Sequence, residues 1–227
     1  MGVGGLVPRA VLLDALGTLL ELEPPAPRLV GELAARGARV TEEEGWAALR
    51  AEIGFYRQHH DMASDREGLA VLRARCTEVL RAALPAHARD VPDLQDALLA
   101  ALRFRAYPEV PEVLRALRGE GARLVVVSNW DVSLHDALAD TGLDALVDGA
   151  LSSAEVGRPK PDPLIFRRAL DVAGAQPAEA LHVGDSVAFD VEGARAAGIE
   201  PVLVVRDGAA PPEGVRAIRS LSSLIAR

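Results

Sequence analysis

The sequence predicts an α/β fold in which a doubly wound parallel sheet carries an inserted all-helical domain. Short apolar runs that end in polar residues are typical of parallel strands buried on both faces, and here they alternate with segments of helical periodicity. Residues 23–105 differ, because they carry helical patterns and no strand candidates. We therefore expect residues 1–22 and 106–227 to form the core that contains the sheet, and residues 23–105 to form the helical domain.

Apolar runs mark the strands of the predicted core, at residues 10–13, 124–127, 180–183 and 202–205, with a weaker fifth run at residues 149–152. Amphipathic segments between the runs predict helices at residues 110–118, 132–139, 163–173 and 187–197. In open parallel sheets, ligands bind beyond the carboxyl ends of the strands. The polar residues that follow these runs are therefore the first candidates for a functional site.

The predicted helical domain begins after Pro24, Pro25 and Pro27, which mark the departure from the first strand. Thr41 and Glu44 have the spacing of a capping box, and the helix that follows places on one face Trp46, Leu49, Ile53 and Tyr56. Ser64 and Glu67 predict a second capping box, before a helix that carries Leu69, Leu72, Cys76 and Leu80. Pro85 and Pro92 interrupt the chain before a last helix at residues 94–104. These patterns predict three or four packed helices.

Composition limits the classes of function. The chain has 227 residues and a net charge of −8, and because nucleic acids and anionic membranes attract basic surfaces, neither is an expected partner. No apolar run reaches the roughly 20 residues of a membrane span, and the amino terminus lacks the pattern of a signal peptide. Cys76 is the only cysteine, so no internal disulfide is expected. We expect a cytoplasmic protein, and the oligomeric state stays open.

Polar residues that could take part in a reaction follow the predicted strands at residues 10–13 and 124–127. Asp14 precedes the Gly17-Thr18 turn, and a carboxylate beside close-approaching backbone amides suits a nucleophile. The simpler alternative is that Asp14 caps the next helix. Ser128 and Asn129 can donate hydrogen bonds to an oxyanion, or can cap the helix that follows them.

Two further motifs complete the set of candidates. Lys160 is the only lysine among 25 Lys and Arg residues and is flanked by prolines. Its compact ammonium fits against a carboxylate and a phosphoryl oxygen better than a guanidinium does, although a lone lysine is often a solvated surface residue. Asp185 and Asp190 offer hard oxygen ligands of the kind that Mg²⁺ prefers, or one of them caps a helix and the other is a surface carboxylate.

In chain order, the motifs Asp14-x-x-Gly17-Thr18, Ser128-Asn129, Lys160-Pro161-Asp162-Pro163 and Gly184-Asp185-Ser186-(x)₃-Asp190 resemble the haloacid dehalogenase superfamily. The insertion after the first motif resembles the family's helical cap, placed on a Rossmann-like core. The resemblance implies a hydrolase in which Asp14 forms a covalent aspartyl intermediate, Ser128 binds the transferring group and Lys160 orients Asp14. It also implies that Thr18 and Asn129 contact the substrate. The expected cofactor is Mg²⁺, held by Asp14, Asp185, Asp190 and the backbone carbonyl of Leu16.

Leu16 is a departure from that family's phosphatases, which usually have a second Asp at this position. That Asp protonates the leaving group, and general acid–base help is worth roughly 10²–10⁴-fold. Without it we expect slow turnover of ordinary phosphate monoesters and a smaller loss on substrates with good leaving groups. His59 or His60 in the inserted domain are candidate substitutes and substrate-binding residues, although a polar helix end in water is the simpler and favoured interpretation.

Three interpretations stay open, in decreasing order of support. The first is a Mg²⁺-dependent phosphatase that acts on a small phosphorylated molecule. The second is a non-catalytic relative that binds a phosphorylated ligand, which Leu16 favours and retention of the other motif residues disfavours. The third is a 2-haloacid dehalogenase, a family that has Tyr at the Leu16 position and does not keep the Asp185–Asp190 type of ending. A phosphonate hydrolase is excluded, since it needs a lysine in the inserted domain and this one has none.

Overall fold

The computed structural model describes residues 8–206 and 208–225. Residues 1–7, which belong to the predicted core and to the segment judged for a signal peptide, lie outside the described residues, as does Asp207. The chain divides into two compact units, one formed by the residues up to Glu21 and from Ala106 onward, and the other by Leu22–Arg105. The expected boundaries were after residues 22 and 105, so the first differs from the observed division by one residue.

The larger unit contains a six-stranded parallel sheet with the order β5-β4-β1-β6-β7-β8. The strands of the chain are β1 (Ala10–Leu13), β2 (Leu20–Leu22), β3 (Phe104–Ala106), β4 (Arg123–Ser128), β5 (Gly149–Ser152), β6 (Ala180–Gly184), β7 (Glu200–Val204) and β8 (Ala217–Ile218). The predicted α/β class with a Rossmann-like parallel sheet is therefore confirmed.

Strands β2 and β3 pair with each other in a separate two-stranded sheet. The prediction of no strand within residues 23–105 was wrong for β3, because Phe104 and Arg105 extend rather than continue the preceding helix. Each of these strands has three residues, which is too short for a period of two to stand out in a sequence.

Helices connect the strands, and in chain order they are α1 (Pro25–Ala35), α2 (Glu42–His59), α3 (Arg66–Ala83), α4 (Leu94–Ala101), α5 (Val110–Gly119), α6 (Leu134–Asp140), α7 (Ser153–Val156), α8 (Pro163–Ala173) and α9 (Glu192–Ala196). The single helix predicted for residues 187–197 is instead a π-helical turn at Val187–Val191 followed by α9. None of the described helices is long and apolar enough to cross a membrane.

The smaller unit contains α1 to α4. The capping box at Thr41 is confirmed, since the Glu44 amide donates to the Thr41 hydroxyl and the Glu44 carboxylate accepts from the Thr41 amide. At α3 the cap is Asp65, which accepts from the Gly68 amide, so the capping box predicted at Ser64 was wrong by one residue. Asp caps a helix as well as Ser does. Helix α1 starts at Pro25, where the fixed φ and missing N–H of proline suit the first turn.

The buried faces of these helices agree only in part with the predicted faces. The predicted α3 face is buried, at Leu69, Leu72, Cys76 and Leu80. On α2 the buried residues are Gly45, Ala48, Leu49 and Glu52, so Trp46, Ile53 and Tyr56 lie at the half-buried margin. The helix thus buries a carboxylate where the sequence suggested aromatic packing.

The register of the central strands brings their carboxyl ends to one edge of the sheet. Leu13 on β1 lies opposite Val126 on β4 and Val183 on β6. The residues that follow these positions therefore emerge side by side. One face of the sheet packs against α8, with Leu12, Val125 and Phe166 in a fully buried apolar cluster.

Candidate active site

Asp14 is the centre of the candidate site. It follows β1, the residue is almost completely buried at 5% exposure, and three side chains bind its carboxylate. Lys160 Nζ donates to Oδ1 at 2.7 Å, Ser128 Oγ donates to Oδ1 at 3.2 Å, and Thr18 Oγ1 donates to Oδ2 at 3.2 Å. The structure thus assembles four predicted site residues from three separate segments of the chain.

Lys160 connects the two buried carboxylates of the site. Its Nζ lies 2.7 Å from Asp14 Oδ1 and 2.6 Å from Asp190 Oδ1, and the residue is 3% exposed. Asn129 holds the backbone of Lys160, because its Oδ1 accepts from the Lys160 amide (2.7 Å) and its Nδ2 donates to the Lys160 carbonyl (2.9 Å). The only asparagine of the sequence therefore positions its only lysine. A substrate contact by Asn129 stays a prediction.

Asp14, Asp185 and Asp190 form an acidic cluster, in which one oxygen from each lies within 4.8 Å of the others. Two glycines make room for it. A Cβ atom on Gly17 would lie 2.1 Å from Asp185 Oδ2, and one on Gly184 would lie 2.2 Å from the Asp190 carboxyl carbon. Carboxylate oxygens are the donors that Mg²⁺ takes, so the residues fit this cation. The Leu16 carbonyl as a further ligand stays a prediction.

The pKa values show how charge is distributed in the site. Burial raises the pKa of Asp14 to about 6, with the Lys160 charge opposing the rise and the charges of Asp190 and Asp185 adding to it. Burial also acts to raise the pKa of Asp190, but Lys160 and His182 outweigh it and hold that pKa below its usual range. Burial would lower the pKa of Lys160, yet attraction to both carboxylates raises it above its ordinary value. Lys160 and Asp190 therefore stay ionised near neutral pH.

His182 was not recognised in the sequence. It lies on β6, is fully buried, and bonds to Asp190 Oδ1 through Nε2 at 2.8 Å. Its ring packs edge-on against Phe166, and its Nδ1 is buried with no hydrogen-bond partner among the described residues. Because Asp190 is an acceptor, the proton lies on Nε2. A histidine within an apolar strand carries no pattern that separates it from a core residue, so only the fold reveals this contact.

The π-helical turn explains how Asp190 reaches this position. Ser186 caps the turn by accepting from the Phe189 amide, and its own amide donates to Asp190 Oδ2 at 2.9 Å. Two apolar side chains of this turn, Val187 and Phe189, are exposed, as is Leu16 after the nucleophile. Single π-helical turns of this kind are frequent at functional sites.

The predicted substrate-binding histidines belong to the helical unit. His59 stacks on Phe55 and its Nδ1 lies 2.7 Å from the Phe55 carbonyl. His60 is buried, and its two ring nitrogens lie near the Arg57 carbonyl and the Asp61 carboxylate. Both rings thus have partners within their own unit, and a role for either in catalysis stays a prediction.

Arg206 was not recognised in the sequence as a site residue. Its side chain is only 19% exposed and its guanidinium donates to the carbonyls of Gly17 and Thr18. An arginine that follows a strand has no sequence pattern that distinguishes it from a solvated one.

These features can be compared with known proteins. The family model of the haloacid dehalogenase-like hydrolases matches residues 8–198. Since this is most of the chain, the protein belongs to that family. The family includes phosphatases and dehalogenases among the relatives of this chain, so membership alone does not select the reaction.

Two curated relatives illustrate this range. Haloacid dehalogenase-like hydrolase domain-containing protein 3 of Mus musculus is 48% identical over 91 residues, or 40% of this chain and 36% of that protein. The chain thus spans little more than a third of that relative's length. (S)-2-haloacid dehalogenase 4A of Burkholderia cepacia is 32% identical over 208 residues, or 90% of this chain and 86% of that protein.

Solved structures show the same two activities. A HAD phosphatase from Thermococcus onnurineus has a TM-score of 0.66 at 25% identity, over 95% of both chains. A dehalogenase with an intermediate complex has a TM-score of 0.70 at 27% identity, over 96% of both chains. The choice of reaction therefore rests on the site itself.

Proposed function

We propose that this protein is a Mg²⁺-dependent phosphatase that transfers the phosphoryl group of a small substrate to Asp14 and then to water. The observation that carries the proposal is the acidic cluster beside the nucleophile. Asp14, Asp185 and Asp190 bring three carboxylates together, and Lys160 is the cation that bonds to two of them. Ionised, the cluster keeps a surplus of negative charge that would repel a phosphate ester. A divalent cation offsets that surplus.

The residues of the site supply the other requirements of the reaction. An oxygen of Asp14 attacks phosphorus, the bond to the leaving-group oxygen breaks, and Asp14 carries the phosphoryl group. Water then attacks phosphorus, which releases inorganic phosphate and restores the carboxylate. Ser128 and Lys160 already bind Asp14 and offer donors to the negative charge of the transferring group. Bound Mg²⁺ would neutralise charge between the nucleophile and the phosphate, with Asp14, Asp185 and Asp190 as its ligands.

Leu16 limits the substrates that we propose. Its side chain cannot protonate a leaving oxygen, and general acid help is worth roughly 10²–10⁴-fold. Acyl and aryl phosphates release stable oxyanions and need that proton least. We therefore propose substrates whose leaving groups are weak bases.

A 2-haloacid dehalogenase is the second candidate, and a specific observation favours it. The similarity to the Burkholderia cepacia enzyme covers 90% of this chain, and Leu16 is non-acidic. In that reaction Asp14 would displace a halide from carbon and form an ester. That reaction does not account for the cluster of three carboxylates, and we therefore place this candidate second. A third candidate, a silent binder of phosphorylated ligands, shares the site but has no turnover.

One experiment separates the three candidates. Phosphate release from an aryl phosphate and from acetyl phosphate is measured with Mg²⁺ and with a chelator, and chloride release from a 2-chloroacid is measured in parallel. The phosphatase proposal expects Mg²⁺-dependent phosphate release that Asp14→Asn abolishes and that the exposed control Asp144→Asn leaves unchanged. Chloride release that Asp14→Asn abolishes would select the dehalogenase instead. Absence of both products would leave the silent binder.

A further inference from the structure

Arg206 follows β7 and contacts two separate segments of the core unit. Its Nε donates to the Gly17 carbonyl at 3.1 Å and its Nη2 to the Thr18 carbonyl at 2.7 Å. Its Nη1 donates to Glu109 Oε1 at 2.8 Å, and the guanidinium lies 3.4 Å from the centre of the Tyr107 ring. One side chain therefore joins the turn after the nucleophile to the segment at residues 107–109.

The turn that Arg206 binds has little tolerance for displacement. Gly17 has a φ of +85°, and the space where its Cβ would lie is taken by Asp185 Oδ2. Thr18 places its hydroxyl on Asp14 Oδ2. A shift of either residue would therefore move a candidate metal ligand or the nucleophile itself.

The opposite side of the same turn is held by the backbone. The amides of Thr18 and Leu19 both donate to the Ala15 carbonyl, at 3.3 and 2.8 Å. The Gly17 and Thr18 carbonyls leave the turn on its other side, where Arg206 accounts for a hydrogen bond to each. In the Gly17–Thr18 and Thr18–Leu19 peptide groups, the N–H therefore donates to Ala15 and the carbonyl accepts from Arg206. Each peptide group is held by a hydrogen bond on both sides.

The far side of the guanidinium is anchored as well. Glu109 accepts from Arg206 and also from the Ser220 hydroxyl at 3.1 Å, so its carboxylate is held from two directions. A planar guanidinium can donate in several fixed directions and stack on a ring at once, whereas a lysine ammonium is a flexible point charge. Arginine therefore suits these contacts better than lysine does.

We propose that Arg206 is a positioning residue for the reaction. It holds the Gly17-Thr18 turn on residues 107–109, the two segments through which the chain leaves and re-enters the core unit, and it thereby keeps Thr18 on Asp14 and Gly17 against Asp185. The expected effect on kcat rests on the proposed phosphatase function. The expected effect on the Gly17-Thr18 turn rests on the hydrogen bonds of Arg206 alone.

The test uses Arg206→Ala, Arg206→Lys and the control Arg216→Ala, which removes an exposed arginine paired with Glu200. Hydrogen exchange is followed in the peptide that spans residues 14–20, and kcat and KM are measured with an aryl phosphate and Mg²⁺. We expect faster exchange in that peptide for Arg206→Ala and a kcat reduced roughly 10- to 100-fold, with KM changed much less. Arg206→Lys keeps the positive charge but loses the planar guanidinium and its several fixed donors. Its exchange rate and its kcat should therefore lie between those of Arg206→Ala and the wild type.

Chemical rescue separates positioning from general loss of structure. Added methylguanidinium should restore part of the kcat of Arg206→Ala and leave Arg216→Ala unchanged. Unchanged exchange in residues 14–20, or a kcat within about twofold of the wild type, would overturn the proposal. If the wild type does not turn over phosphates, the proposed function fails, while the exchange measurement still decides whether Arg206 holds the turn. If Arg206→Ala does not fold, Arg206→Lys carries both measurements.

Discussion

Leu16 is the residue that, in the proposed phosphatase, limits which leaving groups the site can release. It lies two positions after Asp14 and is 39% exposed, so it does not occupy this position as part of the apolar core. The rest of the site, Lys160 and Ser128 on Asp14, supports attack on phosphorus. The proposed site thus supports attack on phosphorus, but Leu16 cannot protonate the leaving group.

Leu16→Asp should restore that protonation. We expect kcat for an alkyl phosphate to rise by roughly 10- to 100-fold, and kcat for an aryl phosphate to change much less, because only the poorer leaving group needs the proton. The exposure of Leu16 allows the new carboxylate to stay hydrated, so folding should be little affected. The control Leu16→Asn has the same shape and no acid. Equal kcat for the two variants on the alkyl phosphate would contradict the role assigned to this position.

Glu52, in the helical unit, is a buried carboxyl group whose protonation should affect the stability of the protein. It is 3% exposed on α2, burial raises its pKa above its ordinary value, and a hydrogen bond from the Cys76 thiol opposes the rise. The folded protein therefore keeps a proton on Glu52 at pH values where the unfolded chain has lost it. As the pH rises through that range, the free energy of unfolding falls.

Glu52→Gln removes this dependence. We expect its Tm to exceed that of the wild type near neutral pH, and the difference to disappear below the ordinary pKa of a glutamate, as measured by thermal unfolding over a pH series. Glu43→Gln, an exposed change on the same helix, should shift Tm little at any pH. A Tm difference between Glu52→Gln and the wild type that does not vary with pH would contradict the argument.

The sequence indicated some of these residues and not others, for physical reasons. Asp14, Ser128 and Asp185 end apolar runs, and Lys160 is the only lysine, so each stands out locally. His182 and Arg206 do not, because the contacts that matter join positions distant in the chain, such as the 189-residue separation between Arg206 and Gly17. Asn129 was noticed for its chemistry, but its bond to Lys160 follows from the folded loop.

At the scale of elements, the long buried strands and the amphipathic helices were predictable because their patterns extend over many residues. The short strands β2 and β3 were not, because three residues carry no period. The π-helical turn at Val187–Val191 was also missed. Its residues continue a helical pattern, and the extra residue in the turn follows from the hydrogen bonds of Ser186 and Asp190.

The contact between α8 and α9 gives a prediction for packing. A Cβ atom on Gly193 would lie 2.6 Å from Cε2 of Phe166 and 3.0 Å from the Pro161 Cα. Gly193→Ala should therefore lower the free energy of unfolding by about 1–3 kcal/mol, the usual cost of overpacking. Gly119→Ala, at the end of α5 with nothing within 4 Å, is the matched control and should be neutral or slightly stabilising. Chemical denaturation measures both, and equal stabilities would refute the packing argument.

At the scale of the whole molecule, the chain combines a core unit that carries the candidate site with a helical unit inserted between β1 and β4 of its sheet. The fold and the family were predictable from four motifs in order. The substrate was not, because it depends on side chains that no motif describes.

Mg²⁺ should stabilise the whole protein through the acidic cluster. Carboxylates of Asp14, Asp185 and Asp190 repel one another in the metal-free protein, and a bound cation stabilises the folded state by RT ln(1 + [Mg²⁺]/Kd), about 2.7 kcal/mol at one hundred times Kd. We expect a saturable rise of several degrees in Tm, reversed by a chelator. Asp185→Asn should have a higher metal-free Tm and a much smaller response, whereas Asp144→Asn should behave as the wild type. A rise in Tm that Asp185→Asn retains in full would place the cation elsewhere.

In the proposed reaction, Asp14 carries the phosphoryl group during turnover. The most direct measurement mixes the enzyme with acetyl phosphate and Mg²⁺, quenches in acid, reduces acyl phosphates with borohydride and analyses the peptide that contains residue 14 by mass spectrometry. We expect conversion of Asp14 to homoserine, dependent on substrate and on Mg²⁺ and absent in Asp14→Asn. Phosphate release with an unmodified Asp14 peptide at every quench time, or a label on another residue, would contradict it.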